Sequence, residues 1–258
     1  MLSKLLTTLL LCGSLYASSI ITEYRQNGIG NIEKQMDLEL TNIAYWSQTL
    51  QSLDTSFGYI ESYDSILTCD KENATLKLHQ LNEKKQFIIS QEYGAFTGEA
   101  KGDKQREGDL KTPLGIYDIT KKISKLDSFY GPLAFVSSYP NTFDKYQGKS
   151  GSGIWIHGLP TEQKRDDYTK GCIAINNENI MCLDKEIDID STLLIINPTE
   201  EVKKVSKETL SKLLAGLYAW RYSWIYNDTK KYLSFYSQDF IRYDGMNYNN
   251  FRKYKTRI

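Results

Sequence analysis

The amino-acid sequence predicts a mainly β domain with helical segments on both sides, which makes the fold α+β overall. Three observations lead to this fold class. Apolar residues recur at helical spacing before residue 74 and again after Pro198, whereas residues 74–198 contain short β-rich runs joined by glycine-rich connections. The 258 residues are enough for one large domain or two modest domains.

The composition excludes several classes of protein. The 32 Lys and Arg residues balance 32 Asp and Glu residues, so the whole chain has no charge that would favour nucleic acid as a partner. Two histidines are too few for a three-histidine zinc site, and the four cysteines include no C-x-x-C pair. The sequence therefore predicts neither a metal site nor a cofactor.

Residues 1–17 have the layout of a secretory signal peptide. Lys4 precedes the apolar run 5–15, and small residues from Ala17 onward provide a cleavage site. The run is shorter than the roughly 20 residues that a membrane-spanning helix needs. We therefore predict export to the periplasm without a stable membrane span, the alternative being an N-terminal core helix.

Residues 18–73 are predicted to form a helical N-terminal segment. Such a segment either packs on the main domain, which is the commoner role, or pairs with a second copy to form a homodimer. The apolar positions at roughly helical spacing are Ile43, Trp46, Leu50 and Leu53.

The periodicity changes at about residue 74. Residues 75–80 and 86–90 alternate on either side of a polar break, which is typical of a β-hairpin. His79 lies in the first run and is predicted to be a solvated surface residue. Long glycine-rich connections indicate functional loops. The later β-rich runs are 115–119, 133–136, 153–157 and 192–196.

Residues 205–258 are helical, basic and aromatic in this interpretation. Residues 207–258 contain ten Lys and Arg against four Asp and Glu, with eight of the nineteen tyrosines. The segment either contacts an anionic polymer or a membrane surface, or it is a solvated helix with an aromatic core face, which is commoner. One helix face is predicted to carry Leu213, Leu217, Trp220 and Trp224.

Two residues near predicted strand ends carry the chemistry. His157 ends one run, and Cys172 follows 15 residues later in a turn that enters another apparent strand. A thiol is a nucleophile as its thiolate, and a neighbouring imidazole that takes the proton raises the thiolate fraction. Gly171 permits a tight turn and lets backbone amides face a developing oxyanion.

These residues resemble a known family, the L,D-transpeptidase catalytic domain, also called the YkuD domain. The resemblance rests on His157-Gly158, on the turn 169–173 (TKGCI) and on the run 106–117 (REGDLKTPLGIY), and it covers about residues 74–197. It implies a β-sandwich-like fold. It also implies a cysteine that attacks peptidoglycan stem peptides between the L-centre of the third residue and the terminal D-alanine.

The resemblance further implies the roles of individual residues. Cys172 corresponds to the nucleophile, His157 to the base, and the Gly158 carbonyl to the group that orients the imidazole. Gly171 and the Cys172 amide would line the oxyanion hole. Lys170 stands where many members have His, which points to a different acceptor pocket.

Three further residues, Thr169, Arg106 and Trp155, complete the candidate substrate-binding set. Arg106 either grips a stem-peptide carboxylate, together with its neighbours in the loop, or belongs to a polar loop without that role. Trp155 is expected in the core or the pocket wall.

The C-terminal segment resembles the opening of an NTF2-like domain, of which residues 205–258 would be a part. The resemblance rests on Trp220, Trp224, Asp228, Tyr232, 235–240 and 244–246. A catalytic domain of this family followed by such a module is the arrangement of exported L,D-carboxypeptidases that trim tetrapeptides to tripeptides and set helical cell shape.

The expected partner is therefore the peptidoglycan stem peptide, with water or an amine as acceptor. The alternative is a non-catalytic peptidoglycan-binding or scaffold protein that keeps the fold. Cys69 and Cys182 either form a disulfide or remain a buried thiol and a loop thiol.

Overall fold

The computed structural model describes residues 20–161, 168–199 and 204–257, and the chain divides into two compact units. One unit is formed by residues 53–205, and the other combines the chain up to residue 52 with the chain from residue 206 onward. The predicted signal peptide, residues 1–17, lies outside the described residues. The predicted C-terminal segment therefore shares one unit with the predicted N-terminal segment only as far as residue 52.

The described helices lie in both units. They are α1 (residues 20–27), α2 (Ile29–Glu39), α3 (Ile43–Thr49), α4 (Thr142–Tyr146), α5 (Asn177–Glu186), α6 (Lys207–Ile225), α7 (Thr229–Ser234) and α8 (Tyr248–Thr256). None of these helices combines the length and the apolar character needed to cross a bilayer.

Within the described residues, the unit 53–205 is a closed barrel with the strand order β1-β2-β3-β7-β6-β5-β4-β8. Neighbouring strands are antiparallel except for the parallel pairs β1–β8 and β6–β7. The strands are β1 (Ser65–Asp70), β2 (Thr75–Leu81), β3 (Phe87–Phe96), β4 (Gly115–Ile123), β5 (Ala134–Ser137), β6 (Trp155–His157), β7 (Ile173–Ile175) and β8 (Thr192–Asn197).

The mainly β fold is confirmed, and two long strands explain how the expected sandwich-like arrangement closes into a barrel. β3 pairs with β2 over most of its length and with β7 at Ala95 and Phe96. β4 pairs first with β8 and then, from Ile119 onward, with β5. The register of the second pairing shifts between Ile119 and Lys121, and such irregularities bend a strand.

The barrel interior is filled by alternate residues of the strands and by one helix. Ile180 and Leu183 of α5 are fully buried against this interior. Burial of these side chains is the main favourable term for the barrel, at about 25 cal/mol per Å² of apolar surface. The strand residues in the core include Leu67, Leu76, Leu78, Tyr117, Phe135, Ile156, Ile173, Ile175, Leu194 and Ile196.

The prediction of a helical segment over residues 18–73 is wrong at its end, because β1 (Ser65–Asp70) is a strand. Five of the six β1 residues are buried, since the strand is covered on both faces. A strand buried on both faces lacks the polar–apolar alternation by which strands are detected. The hairpin predicted at residues 75–90 is present as β2 and β3.

His79 is not the solvated residue that its alternating run predicts. It is 8% exposed, and the Phe57 ring lies edge-on to the imidazole with 4.9 Å between ring centroids. His79 Nε2 lies 3.0 Å from Thr68 Oγ1. The chain before β1 therefore covers the outer face of β2, which the sequence pattern of β2 cannot show.

The helical unit is held by contacts between α2, α3 and α6. Asp37 is buried and forms an ion pair with Arg221, and Tyr226 Oη donates to the Asp37 carboxylate at 3.1 Å. Trp46 stacks on Tyr218 with 5.2 Å between ring centroids. Residues 43–49 thus pack on α6, whereas homodimerisation through this segment stays a prediction.

The helix α6 is present as predicted, but the predicted apolar face is not its buried face. Leu213 and Leu217 are more than half exposed, whereas Leu210 and Ala215 are buried. Apolar residues spaced three and four apart indicate a helix, but they do not show which face of that helix packs against another part of the protein. Trp220 joins a small aromatic core whose other members are Tyr232, Leu233, Tyr236, Phe240, Met246 and Phe251.

Candidate active site

The parallel strands β6 and β7 bring the predicted histidine and cysteine to one face of the sheet. Their register pairs Ile156 with Ile173 and His157 with Ala174. Ile156 and Ile173 are fully buried in the barrel core. His157 follows Ile156 and Cys172 directly precedes Ile173, so the alternation of side chains directs both of them to the face opposite these two isoleucines.

The His157 imidazole is fixed by its own neighbours. It is 1% exposed, and the Tyr130 ring lies edge-on to it with 5.1 Å between ring centroids. His157 Nδ1 lies 2.6 Å from the Gly158 carbonyl oxygen. A carbonyl only accepts hydrogen bonds, so Nδ1 carries the hydrogen and the lone pair of the neutral ring is on Nε2. The ring can therefore accept a proton at Nε2.

Cys172 is half-buried at the entrance to β7. Its thiol Sγ donates to the Gly153 carbonyl oxygen at 3.3 Å. Thr169 shapes the preceding turn, because its Oγ1 donates to the Cys172 carbonyl at 2.6 Å and accepts from the Gly171 amide at 3.0 Å. Thr169 is 3% exposed, so it supports the turn from inside.

Gly171 makes the tight turn that the sequence predicts, but its own amide is not left open for an oxyanion. Its N–H is bonded to Thr169, so this amide is occupied within the turn. Its φ is +133°, and a Cβ at this position would lie 2.8 Å from the Lys111 carbonyl oxygen. Glycine is therefore required both for the backbone conformation and for the close approach of the loop at Lys111.

The segment after β3 holds the cysteine turn from the other side. Thr169 N donates to the Thr97 carbonyl at 2.8 Å, and Glu99 N donates to the Thr169 carbonyl at 3.0 Å. Gly98 N in turn donates to Thr112 Oγ1 at 2.8 Å. Thr112 belongs to the run 106–117 that carries the family resemblance. It therefore helps to fix the cysteine turn through Gly98.

Two buried lysines order the loop between β3 and β4. Lys104 Nζ lies 2.8 Å from Asp109 Oδ1, and Asp109 also accepts from the amides of residues 105, 106 and 111. Burial opposes ionisation of Asp109, but Lys104 and these amides hold the pKa of its carboxyl well below the usual range.

Lys149 joins this loop to α4. Its Nζ lies 2.6 Å from Asp103 Oδ2 and 3.0 Å from Asp144 Oδ1. Burial lowers the pKa of Lys149, but the hydrogen bonds to Asp103 and Asp144 raise it, and the net shift is upward. The lysine is therefore charged in the folded protein.

The remaining predicted residues, Arg106 and Trp155, differ in their surroundings. Arg106 is exposed, and its backbone amide and carbonyl bind Asp109 and Lys104. Trp155 is half-buried against Tyr130, with 5.1 Å between ring centroids, and lines the wall beside His157.

Sequence reasoning missed Tyr130 and Asn177. Asn177 Oδ1 accepts a hydrogen bond from the Leu159 amide at 2.7 Å. Tyr130 and Asn177 both come from segments distant in sequence from His157, so no local pattern signals the ring contact of Tyr130 or the hydrogen bond of Asn177. The short spacing of Asn177 after Cys172 is the one available cue.

The other cysteines do not form the disulfide that the sequence left open. Cys69 is buried inside the barrel and Cys182 is exposed on α5, and both thiols are free. Burial raises the pKa of Cys69 to about 12. Across residues 20–161, 168–199 and 204–257, no cluster of three or more His, Cys, Asp or Glu side chains could hold a metal ion.

A closed, mainly β barrel in which a histidine ends one strand and a cysteine directly precedes the parallel neighbouring strand defines a domain of the L,D-transpeptidase type. The family model of the L,D-transpeptidase catalytic domain (YkuD) matches residues 65–195. The chain belongs to the L,D-transpeptidase family. Residues 212–258 match the model of the Cds6 C-terminal NTF2-like domain.

Known relatives match different shares of the chain. The helical cell shape determining protein Pgp2 from Campylobacter jejuni is 34% identical with a TM-score of 0.77, covering 84% of this chain and 77% of Pgp2. Bd1075 from Bdellovibrio bacteriovorus is 32% identical with a TM-score of 0.57, covering 76% of this chain and 70% of that protein.

A further relative is YafK of Escherichia coli (strain K12), a protein assigned to the L,D-transpeptidases. It is 34% identical over 111 residues, which are 43% of this chain and 42% of YafK. The match therefore spans less than half the length of this relative.

Proposed function

We propose that this protein is a peptidoglycan-modifying cysteine enzyme. It cleaves tetrapeptide stems between the L-centre of the diamino acid and the terminal D-alanine. The observation that carries the proposal is the parallel register of β6 with β7, the strand that Cys172 directly precedes, together with the 2.6 Å contact of His157 Nδ1 with the Gly158 carbonyl oxygen.

Acylation follows from these two side chains. His157 Nε2 takes the proton of the Cys172 thiol, and the thiolate sulfur attacks the carbonyl carbon of the diamino acid. The carbonyl π electrons move to oxygen, and a backbone amide binds the oxyanion. The C–N bond then breaks as His157 returns the proton to the leaving amine, which releases D-alanine and leaves a thioester on Cys172.

Of the two residues expected to line the oxyanion hole, only Cys172 is kept as the donor. The Gly171 N–H binds Thr169 Oγ1, so it serves the turn and not the oxyanion. The Cys172 N–H is the donor that the family resemblance implies. Thr169 is accordingly a supporting residue, and Trp155 and Arg106 remain candidates for contact with the stem peptide.

Deacylation decides between two products. Water that loses a proton to His157 hydrolyses the thioester to a tripeptide stem, whereas an amine from a neighbouring stem forms a 3-3 cross-link. The NTF2-like match and the similarity to a cell shape determining protein favour water, and hence an L,D-carboxypeptidase with a role in cell shape. The predicted signal peptide places this reaction in the periplasm.

Incubation of the purified protein with tetrapeptide muropeptides tests the proposal. Tripeptide monomers with free D-alanine are expected, and Cys172→Ala should yield neither. Formation of 3-3 dimers would instead show that the protein acts as a transpeptidase. Absence of both products, together with a Cys172 thiol inert to alkylation and to carbapenem acylation, would establish the alternative of a non-catalytic wall-binding or scaffold protein.

Fractionation of producing cells tests the location. The mature chain is expected in the periplasmic fraction with residues 1–17 removed. Recovery of the full-length chain in the cytoplasm would contradict export.

A further inference from the structure

We infer that Asn177 is a positioning residue for the His157 base. The inference rests on the proposed function, because it assigns Asn177 a task within that reaction. Asn177 is the first residue of α5, and only Asn176 separates it from the end of β7.

One peptide unit connects Asn177 to the imidazole. The carbonyl of Gly158 accepts from His157 Nδ1 at 2.6 Å, and the N–H of Leu159 donates to Asn177 Oδ1 at 2.7 Å. These two groups belong to the same peptide bond, which is planar and rigid. An acceptor that fixes the N–H therefore also fixes the direction of the carbonyl that holds the imidazole.

Two glycines make room for the Asn177 oxygen. A Cβ at Gly158 would lie 2.3 Å from Asn177 Oδ1, and a Cβ at Gly131 would lie 2.5 Å from the same atom. Side-chain carbons do not approach an oxygen this closely. The contact between Asn177 and the 158–159 peptide therefore depends on glycine at both positions.

The same chain segment carries the nucleophile and the positioning residue. Cys172 enters β7 and Asn177 follows its end, while β6 runs parallel and leads from His157 to Gly158. The sulfur is thus placed at one end of β7 and the imidazole is oriented from the other end. A single three-residue strand sets the geometry of both reacting side chains.

Loss of the Asn177 oxygen has a specific chemical consequence. The 158–159 peptide loses its anchor, so the Gly158 carbonyl no longer holds the hydrogen on Nδ1. A neutral ring with its hydrogen on Nε2 cannot accept the Cys172 proton at that atom. Outer groups that orient a metal-binding histidine are typically worth about 10–100-fold in affinity or activity, and we expect an effect of the same order for this base.

The experiment measures the His157 tautomer directly. The chain has two histidines, so long-range ¹⁵N–¹H spectra contain two imidazoles, and His79→Gln assigns them. Wild type is expected to show neutral His157 with hydrogen on Nδ1. In Asn177→Ala the Nδ1–H fraction should fall, and kcat on tetrapeptide should fall about 10–100-fold with KM changed less than about twofold.

Two variants serve as controls. Asn177→Asp keeps an acceptor oxygen and should retain the Nδ1–H tautomer. Asn176→Ala removes the exposed neighbouring side chain, which makes no helix-capping hydrogen bond, and should behave as wild type. An unchanged tautomer or an unchanged kcat in Asn177→Ala would overturn the inference.

The outcomes separate this inference from the proposed function. A wild type that leaves tetrapeptides intact, with a tautomer that still depends on Asn177, would reject the function and keep the positioning role. If Asn177→Ala fails to fold, hydrogen exchange of the Leu159 amide in wild type decides. Exchange as fast as in an unstructured peptide would overturn the inference, and strong protection would support it.

Discussion

The Lys149 ammonium lies 2.6 Å from the Asp103 carboxylate, and this ion pair joins two loops that both reach the Cys172 turn. The loop of Asp103 continues to Lys111, whose carbonyl packs on Gly171. The loop of Lys149 continues to Gly153, whose carbonyl accepts from the Cys172 thiol. The surroundings of the thiol thus depend on a buried ion pair that has no direct contact with it.

Lys149→Met should therefore destabilise the barrel unit strongly. Removing one partner of a buried ion pair leaves uncompensated charge on Asp103 and Asp144, which typically costs about 3–5 kcal/mol. Lys145→Met is the matched control, because Lys145 is exposed on the same short helix, and it should stay within about 0.5 kcal/mol of wild type. Urea unfolding measures both free energies. Equal stabilities of the two variants would contradict the structural role of Lys149.

Asp109 should make stability depend on pH in acid. Its folded pKa is depressed below the ordinary value of 3.8, so its ionised form stabilises the folded state above that pH. The contribution is lost as pH falls through about 4 toward the folded pKa. The free-energy difference between wild type and Asp109→Asn should thus be largest above about pH 5 and shrink below pH 4. Urea unfolding at pH 7, 5 and 3 tests this, and a constant difference would disprove it.

Gly131→Ala should be far more damaging than Gly148→Ala. Both glycines have positive φ, +72° and +76°, so both alanine variants carry a backbone cost of about 1–2 kcal/mol. A Cβ at Gly148 meets nothing within 4 Å, whereas one at Gly131 would lie 2.8 Å from Gly158 Cα. We expect Gly131→Ala to lower the melting temperature more than Gly148→Ala does. We also expect it to reduce activity several-fold. Matching melting temperatures and activities would show that the contact with Gly158 is not tight.

The three cysteines of the described chain should differ in reactivity. Cys69 should resist iodoacetamide in the folded protein, because it is fully buried and its pKa is about 12. Cys182 is exposed and should react at the rate of an ordinary thiol. Cys172 should react faster than Cys182 near neutral pH, and His157→Ala should remove that advantage, while His79→Gln should not.

Peptide mass spectrometry of the alkylated protein resolves these sites. A Cys172 rate that does not change in His157→Ala would break the link between base and nucleophile. Rapid labelling of Cys69 in native protein would contradict its place in the barrel core.

The sequence allowed prediction of those features that leave a local pattern. The hairpin of β2 and β3 alternates, and Cys172 and His157 stand in a recognisable motif. β1 escaped detection because both of its faces are covered, and α6 was found with the wrong face because periodicity does not show which neighbour packs on it.

Features set by the tertiary structure could not be predicted. Lys104 and Lys149 look like solvated loop residues, and His79 looks like a surface histidine, because their burial comes from distant segments. The orientation of the 158–159 peptide by Asn177 likewise depends on the parallel pairing of β6 and β7. The family resemblance implies that Gly171 lines the oxyanion hole, whereas the Thr169 hydroxyl binds the Gly171 amide.

The parallel pairing of β1 with β8 has a consequence for biogenesis. Residue 65 must find residue 192, so the barrel closes only after nearly the whole β-rich unit has been synthesised. Such non-local pairing makes folding slow, because loop-closure entropy is lost before the contacts form. A chain that folds late stays unfolded for longer after its synthesis, and the export proposed above would make use of that delay.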